Sequence, residues 1–150
     1  MVQLPFLIFA DMKQAESQED DVSIEGMRIL LAEDNELNME IAEFLLTNAG
    51  AEITKASNGK EAVEAFAKSG VGEINVILMD IMMPVMDGLE ATREISTMNR
   101  SDASAVAIIA MTANAFAEDR KRALDAGMNG HIAKPIDIEK LGAVILSGFI

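Results

Sequence analysis

From residue 27 onward the sequence predicts an α/β fold, a five-stranded doubly wound parallel sheet with helices on both faces. Two observations predict it. Short apolar or alternating runs recur five times, and a segment with helical spacing follows each one. Four of the runs end in polar side chains that carry chemistry: Glu33-Asp34, Asp80, Thr112 and Lys134. In such a sheet the carboxyl ends of the strands open onto one crevice, where ligands bind. Crossovers of this length are right-handed.

The elements follow in order. Residues 27–32 form an apolar strand before Glu33-Asp34, and a helix is expected from Asn35 or Glu36 to Asn48. Its apolar positions Leu37, Ile41, Phe44, Leu45 and Ala49 repeat with helical period, and Gly50 stops it. Residues 51–56 alternate like a strand. Asn58 caps the second helix, whose inner face is read as Ala62, Val63, Phe66 and Ala67, closing at Gly70. The run 74–79 leads into Asp80, a loop covers 81–87, and a helix is expected from Gly88 to about Met98. The run 105–111 leads into Thr112, then a helix from about Ala115 to Asp125 ends at Gly127. Residues 131–133 form the last strand before Lys134-Pro135, whose peptide bond is a candidate for the cis form. Asp137 is the expected cap of the final helix.

Composition narrows the function. Asp and Glu number 25 against 12 Lys and Arg, a net charge of −13, which argues against direct contact with nucleic acid. The absence of cysteine excludes thiol catalysis and disulfides, and a single histidine excludes a histidine-rich zinc centre. The apolar stretch 2–10 is too short to span a bilayer and lacks the features of a signal peptide, so a soluble cytoplasmic chain without membrane contact is expected. Residues 11–26 are polar and acidic, as in a linker. The domain division is therefore 1–26 as tail and linker and 27–150 as the folded domain, with 4–9 a strand-like piece cut from something longer.

Glu33, Asp34 and Asp80 place three carboxylates at neighbouring strand ends. Two unit charges about 4 Å apart repel by roughly 4 kcal/mol at an effective dielectric near 20. Such a cluster takes up a proton, recruits Lys134 or binds a cation. Oxygen-only donors favour Mg²⁺, which is held by one or two carboxylates together with phosphate. Solvated strand-end acids are the plainer reading, and it accounts for Asp34 better than for the whole set. A carboxylate beside Mg²⁺ and an ammonium is suited to act as a nucleophile toward a phosphoryl group.

At these residues the chain resembles the response-regulator receiver domain over roughly 27–149. The string Ile29-Leu30-Leu31-Ala32-Glu33-Asp34-Asn35 matches the family's acidic pair, and Met79-Asp80 followed by Met83-Pro84 and Asp87-Gly88 matches its phosphoacceptor region. Thr112-Ala113 matches the switch hydroxyl, and Gly130-His131-Ile132-Ala133-Lys134-Pro135 matches the invariant lysine. The resemblance implies a flavodoxin-like sheet of strand order 2-1-3-4-5. It implies that Asp80 takes a phosphoryl group from a phosphohistidine with Mg²⁺, in a two-component phosphorelay. It further implies that Asp34, Asp80 and the Met82 backbone carbonyl hold the metal, with Glu33 acting through water. Lys134 would pair with the acceptor, Thr112 would bond the phosphoryl group, and His131 would stand at the switch aromatic position. Met82 and Asn114 flank the route of the attacking water in this family. By the same analogy the chain catalyses only its own phosphorylation and dephosphorylation.

The phrase 128–136 looks like receivers joined to hybrid sensor histidine kinases, and Leu4-Pro5-Phe6 is similar to the end of an ATP-binding domain in such kinases. Partners implied are a kinase phosphohistidine domain or a histidine phosphotransfer protein, docking near Leu37, Ile41 and Leu45; a weak homodimer stays open. The alternatives are a stand-alone regulator's receiver and a phosphate-independent binding module. A phosphohydrolase with an aspartate nucleophile would carry a second acid two residues on, where Met82 stands. A flavin module fits poorly, since Glu33-Asp34-Asn35 would repel a flavin phosphate.

Overall fold

Successive residues of a strand point to opposite faces of a sheet, and here both faces are covered. The computed structural model describes residues 23–113 and 117–146. It contains β1 (Arg28–Ala32), α1 (Glu36–Asn48), β2 (Glu52–Ala56), α2 (Gly59–Lys68), β3 (Val76–Asp80), α3 (Gly88–Ser96), β4 (Ala107–Thr112), α4 (Ala117–Asp125), β5 (Gly130–Ala133) and α5 (Ile138–Leu146). The strands form one parallel sheet in the order β2-β1-β3-β4-β5. This is the doubly wound order 2-1-3-4-5 that the resemblance implied.

Leu30, Ile77, Met79 and Ile108 face one way and pack with Phe66 of α2 and Ile95 of α3. Ile29, Leu31, Leu78 and Ile109 face the other way and pack with Leu46 of α1 and Leu141 of α5. Burial on both faces is why the central strands read as unbroken apolar runs. Ile24 is buried in the second cluster, and the Gly26 N–H donates to the Gly50 carbonyl, so packing begins ahead of β1. The expected strand-like piece at 4–9 lies outside the described residues.

Asn58 and Asp137 are the caps the sequence signalled, and Asn35 and Asp87 are two further ones. Asn35, Asn58 and Asp87 each accept a hydrogen bond from the backbone N–H three residues on, at Asn38, Glu61 and Glu90. Asp137 accepts from the N–H groups of Glu139 and Lys140. Two helix faces differ from the sequence reading. Ala67 is exposed, and Ala65 instead is half-buried beside Phe66. On α1 the core residues are Ala42 and Leu46, whereas Leu37, Ile41 and Phe44 are 64%, 43% and 63% exposed.

Register sets the site. Ala32 pairs with Met79, and Asp80 pairs with Met111, so Glu33 leaves the sheet beside Asp80 and Thr112 stands one residue further along its strand. The loop after β3 is held by close glycine contacts. A Cβ on Gly88 would collide with the Asp80 carbonyl oxygen, and one on Gly59 would collide with that of Met86. Val85 in this loop has φ 69°, an unfavourable conformation for a β-branched residue. Gly88→Ala is expected to destabilise the fold by about 1–3 kcal/mol through overpacking. It should also push the Asp80 backbone outward. Denaturant unfolding measures the first effect, and a weakened Mg²⁺ affinity reports the second.

Candidate functional site

Glu33 follows β1, and its backbone N–H donates to the Ala56 carbonyl at 3.0 Å, which fixes where the side chain starts. Its carboxylate is buried and divided between two partners. One oxygen accepts from the Asn35 N–H at 3.0 Å, and the other lies 2.8 Å from Lys134 Nζ. Lys134 Nζ also donates to Asp80 Oδ2 at 3.0 Å, so a single ammonium bridges two buried acids. The Lys134 N–H donates to the Thr112 carbonyl at 2.8 Å, which ties the exit of β5 to the end of β4. The Lys134–Pro135 bond is cis.

Asp80 ends β3, and its Oδ1 accepts from the Met82 N–H at 3.3 Å. Burial pushes its pKa up from 3.8 to about 6; the Lys134 hydrogen bond opposes this rise, and the negative charge of Glu33 adds to it. Burial by itself would lower Lys134, but its bonds to Glu33 and Asp80 outweigh that and raise it. The lysine therefore stays charged. Asp34 is exposed, and carboxylate oxygens of Glu33, Asp34 and Asp80 all lie within 4.8 Å of one another. Thr112 is buried at the end of β4.

These groups line one cleft of about 520 Å³, which holds Glu33, Asp34, Asp80, Thr112 and Lys134 together. Met82, a residue 72% exposed, lines it as well, and Arg122 of α4 reaches its wall. Sequence reasoning did not single out Arg122, because a lysine- and arginine-rich helix surface carries no signal of which cation turns inward. His131 lies on β5, half-buried, with Nδ1 buried and unpartnered among the described residues. Burial, with help from the charge of Arg120, lowers its pKa, which keeps the ring neutral at physiological pH. Asn114 lies outside the described residues. No helix among the described residues is long and apolar enough to cross a membrane.

Comparison with known proteins gives the context of this cleft. The response regulator receiver domain family matches residues 29–146. Hybrid signal transduction histidine kinase I of Dictyostelium discoideum is 38% identical over 79% of this chain, a segment that makes up 7% of that protein. The aerobic respiration control sensor protein ArcB of Escherichia coli (strain K12) is 35% identical over 85% of this chain and 16% of its own length. The chain thus spans a small part of the curated relatives it matches. Among solved structures, the receiver domain of a sensor histidine kinase from Pseudomonas aeruginosa PAO1 superposes with TM-score 0.72 at 38% identity, covering 81% of this chain and 96% of that one. That structure has a magnesium ion coordinated in its active-site cleft. The receiver domain of Ssk1, crystallised with the histidine phosphotransfer protein Ypd1 of Saccharomyces cerevisiae, superposes with TM-score 0.67 at 28% identity, covering 79% and 85% of the two chains. Sequence, fold and strand-end cleft agree, and the chain belongs to the response regulator receiver domain family of two-component phosphorelay signalling.

Proposed function

We propose that Asp80 is the phosphoacceptor of this receiver, taking a phosphoryl group from a phosphohistidine with Mg²⁺ bound beside it. The observation that carries this reading is the bridge of Lys134 between two buried carboxylates, 2.8 Å from Glu33 and 3.0 Å from Asp80. The donor set fits the metal. Three carboxylates converge within 4.8 Å with no nitrogen or sulfur ligand among them, as a hard divalent cation requires. Asp34, Asp80 and the Met82 backbone carbonyl would hold it, with Glu33 acting through water. When bound, Mg²⁺ supplies positive charge against the oxygens of the transferring group.

Asp80 reacts as its carboxylate. An Asp80 oxygen forms the new O–P bond, the N–P bond of the phosphohistidine breaks, and its electron pair returns to the imidazole, which picks up a proton. Lys134 already sits on Asp80 Oδ2 and holds positive charge where the phosphoryl oxygens arrive. Thr112 would donate its hydroxyl to the phosphoryl group, and His131 would follow that movement as the switch side chain. Phosphorylation then shifts a balance between two arrangements of the β4 and β5 ends. The test is transfer from a phosphohistidine-bearing phosphotransfer protein. Label should reach wild type only with Mg²⁺ and should be lost with a chelator; transfer independent of the metal would contradict this reading.

The docking face is assigned to α1. Leu37, Ile41 and Phe44 are exposed while Ala42 and Leu46 fill the core, so the apolar stripe faces outward beside the cleft. Phe44→Ser with Leu37→Ser is expected to slow transfer from the phosphohistidine partner by about tenfold or more, the loss typical of central apolar anchors. Labelling by acetyl phosphate should be unchanged, and a parallel loss there would refute a docking role. The hybrid kinase setting and a cytoplasmic location are proposed on the strength of relatives such as the Dictyostelium kinase and ArcB.

A further inference from the structure

We propose that Met82 is a peroxide-sensitive modification site whose conversion to the sulfoxide shortens the life of the phosphorylated state. Among the described methionines Met82 alone is exposed, at 72%. Met79, Met83, Met111 and Met128 are buried, and Met27, Met39, Met86 and Met98 are half-buried. Oxidation of methionine follows exposure, so the thioether of Met82 is the one that dissolved peroxide meets first.

Its position gives that chemistry a consequence. Met82 stands two residues after Asp80, lines the same cleft, and its N–H donates to Asp80 Oδ1. As a thioether it covers the cleft mouth with an apolar, weakly accepting side chain. In the reaction a sulfur lone pair attacks one oxygen of hydrogen peroxide, the O–O bond breaks, and an S–O bond forms. Water leaves, so the sulfur is oxidised by two electrons and the peroxide is reduced. The product carries a strong acceptor oxygen at the mouth of the cleft, where it attracts and orients water toward the acyl phosphate. Exposure also leaves the sulfoxide open to enzymatic reduction, so the change is reversible.

The inference rests on Asp80 being the phosphoacceptor. The full chain is treated with graded hydrogen peroxide, its methionines are mapped by peptide mass, and the decay of acetyl-phosphate-derived label is followed. Met82 is expected to oxidise ahead of the other eight described methionines, and the phosphoryl half-life to shorten by roughly two- to tenfold, the effect of adding one hydrogen bond at the attacking water. Methionine sulfoxide reductase should restore the original half-life. In Met82→Leu, whatever its own half-life, the ratio of treated to untreated should be one. Earlier oxidation of another described methionine, an unchanged half-life, or an equal peroxide effect in Met82→Leu would overturn the proposal. A chain that takes no phosphoryl group before peroxide would overturn the phosphoacceptor reading and this inference together, whereas failure after normal labelling removes only the inference.

Discussion

Asp80→Asn is expected to be more stable than wild type without magnesium, by about 3 kcal/mol at pH 8. The cause is burial of the carboxylate, which lifts its pKa from 3.8 to about 6 in the folded protein. A carboxyl that binds its proton more tightly when folded loses stability as pH rises between those two values, and above about pH 6 the full cost is present. The amide carries no charge, so its advantage should be complete at pH 8, shrink from about pH 6 downward and vanish below about pH 4. Glu33 still pairs with Lys134 in the variant, so the ammonium keeps a partner. Magnesium offsets that advantage. At one hundred times its dissociation constant it adds about 2.7 kcal/mol to a protein that binds it only when folded. Wild type should gain that and Asp80→Asn very little. The affinity should also fall about tenfold per pH unit below 6, where protons compete for Asp80. Melting curves across pH 4–8, with and without Mg²⁺, check all of this; a variant less stable than wild type at pH 8 without metal would refute the electrostatic account.

Lys134→Met should have the largest effect on stability, a loss of about 3–5 kcal/mol at pH 8 without Mg²⁺. Lys134 is the shared counter-charge of Glu33 and Asp80, whose side chains are 3% and 7% exposed. Removing it leaves two buried acids facing each other with no cation between them. Without the ammonium the pKa of Asp80 rises further, so the folded state binds protons more tightly still. The defect should therefore fade as pH falls through 6 toward 4, the range where Asp80 becomes neutral. Mg²⁺ should recover much of the loss at pH 8, because it supplies charge at the same place. Urea unfolding at pH 5 and pH 8 measures the effect, and an equal defect at both would point to lost packing rather than lost charge.

The strand ends were legible because they obey a simple rule. A buried parallel strand reads as an apolar run, and the first polar residue after it marks the rim of the crevice. Glu33, Asp80, Thr112 and Lys134 each stand where that rule placed them. The caps at Asn58 and Asp137 were legible for a similar reason, since a short side-chain acceptor before a helix has few other uses. The faces of α1 and α2 were harder. Periodicity finds large apolar residues, but α1 carries its large residues Leu37 and Phe44 outward and fills the core with Ala42 and Leu46. Alanine weighs little in any apolar pattern, which also explains the misplacement of Ala67 relative to Ala65. The division of Lys134 between two acids depends on distances of 2.8 and 3.0 Å that only the folded register creates. The approach of Gly88 to the Asp80 carbonyl is of the same kind, a backbone contact with no sequence signature beyond the glycine itself.

The most direct measurement is the intact mass of the chain after incubation with acetyl phosphate, for wild type and Asp80→Asn, with Mg²⁺ and with a chelator. A gain of one phosphoryl group by wild type, dependent on Mg²⁺ and absent in Asp80→Asn, is the predicted result. A phosphoryl group carried by Asp80→Asn, or wild type that stays unmodified while folded and magnesium-bound, would contradict Asp80 as the acceptor.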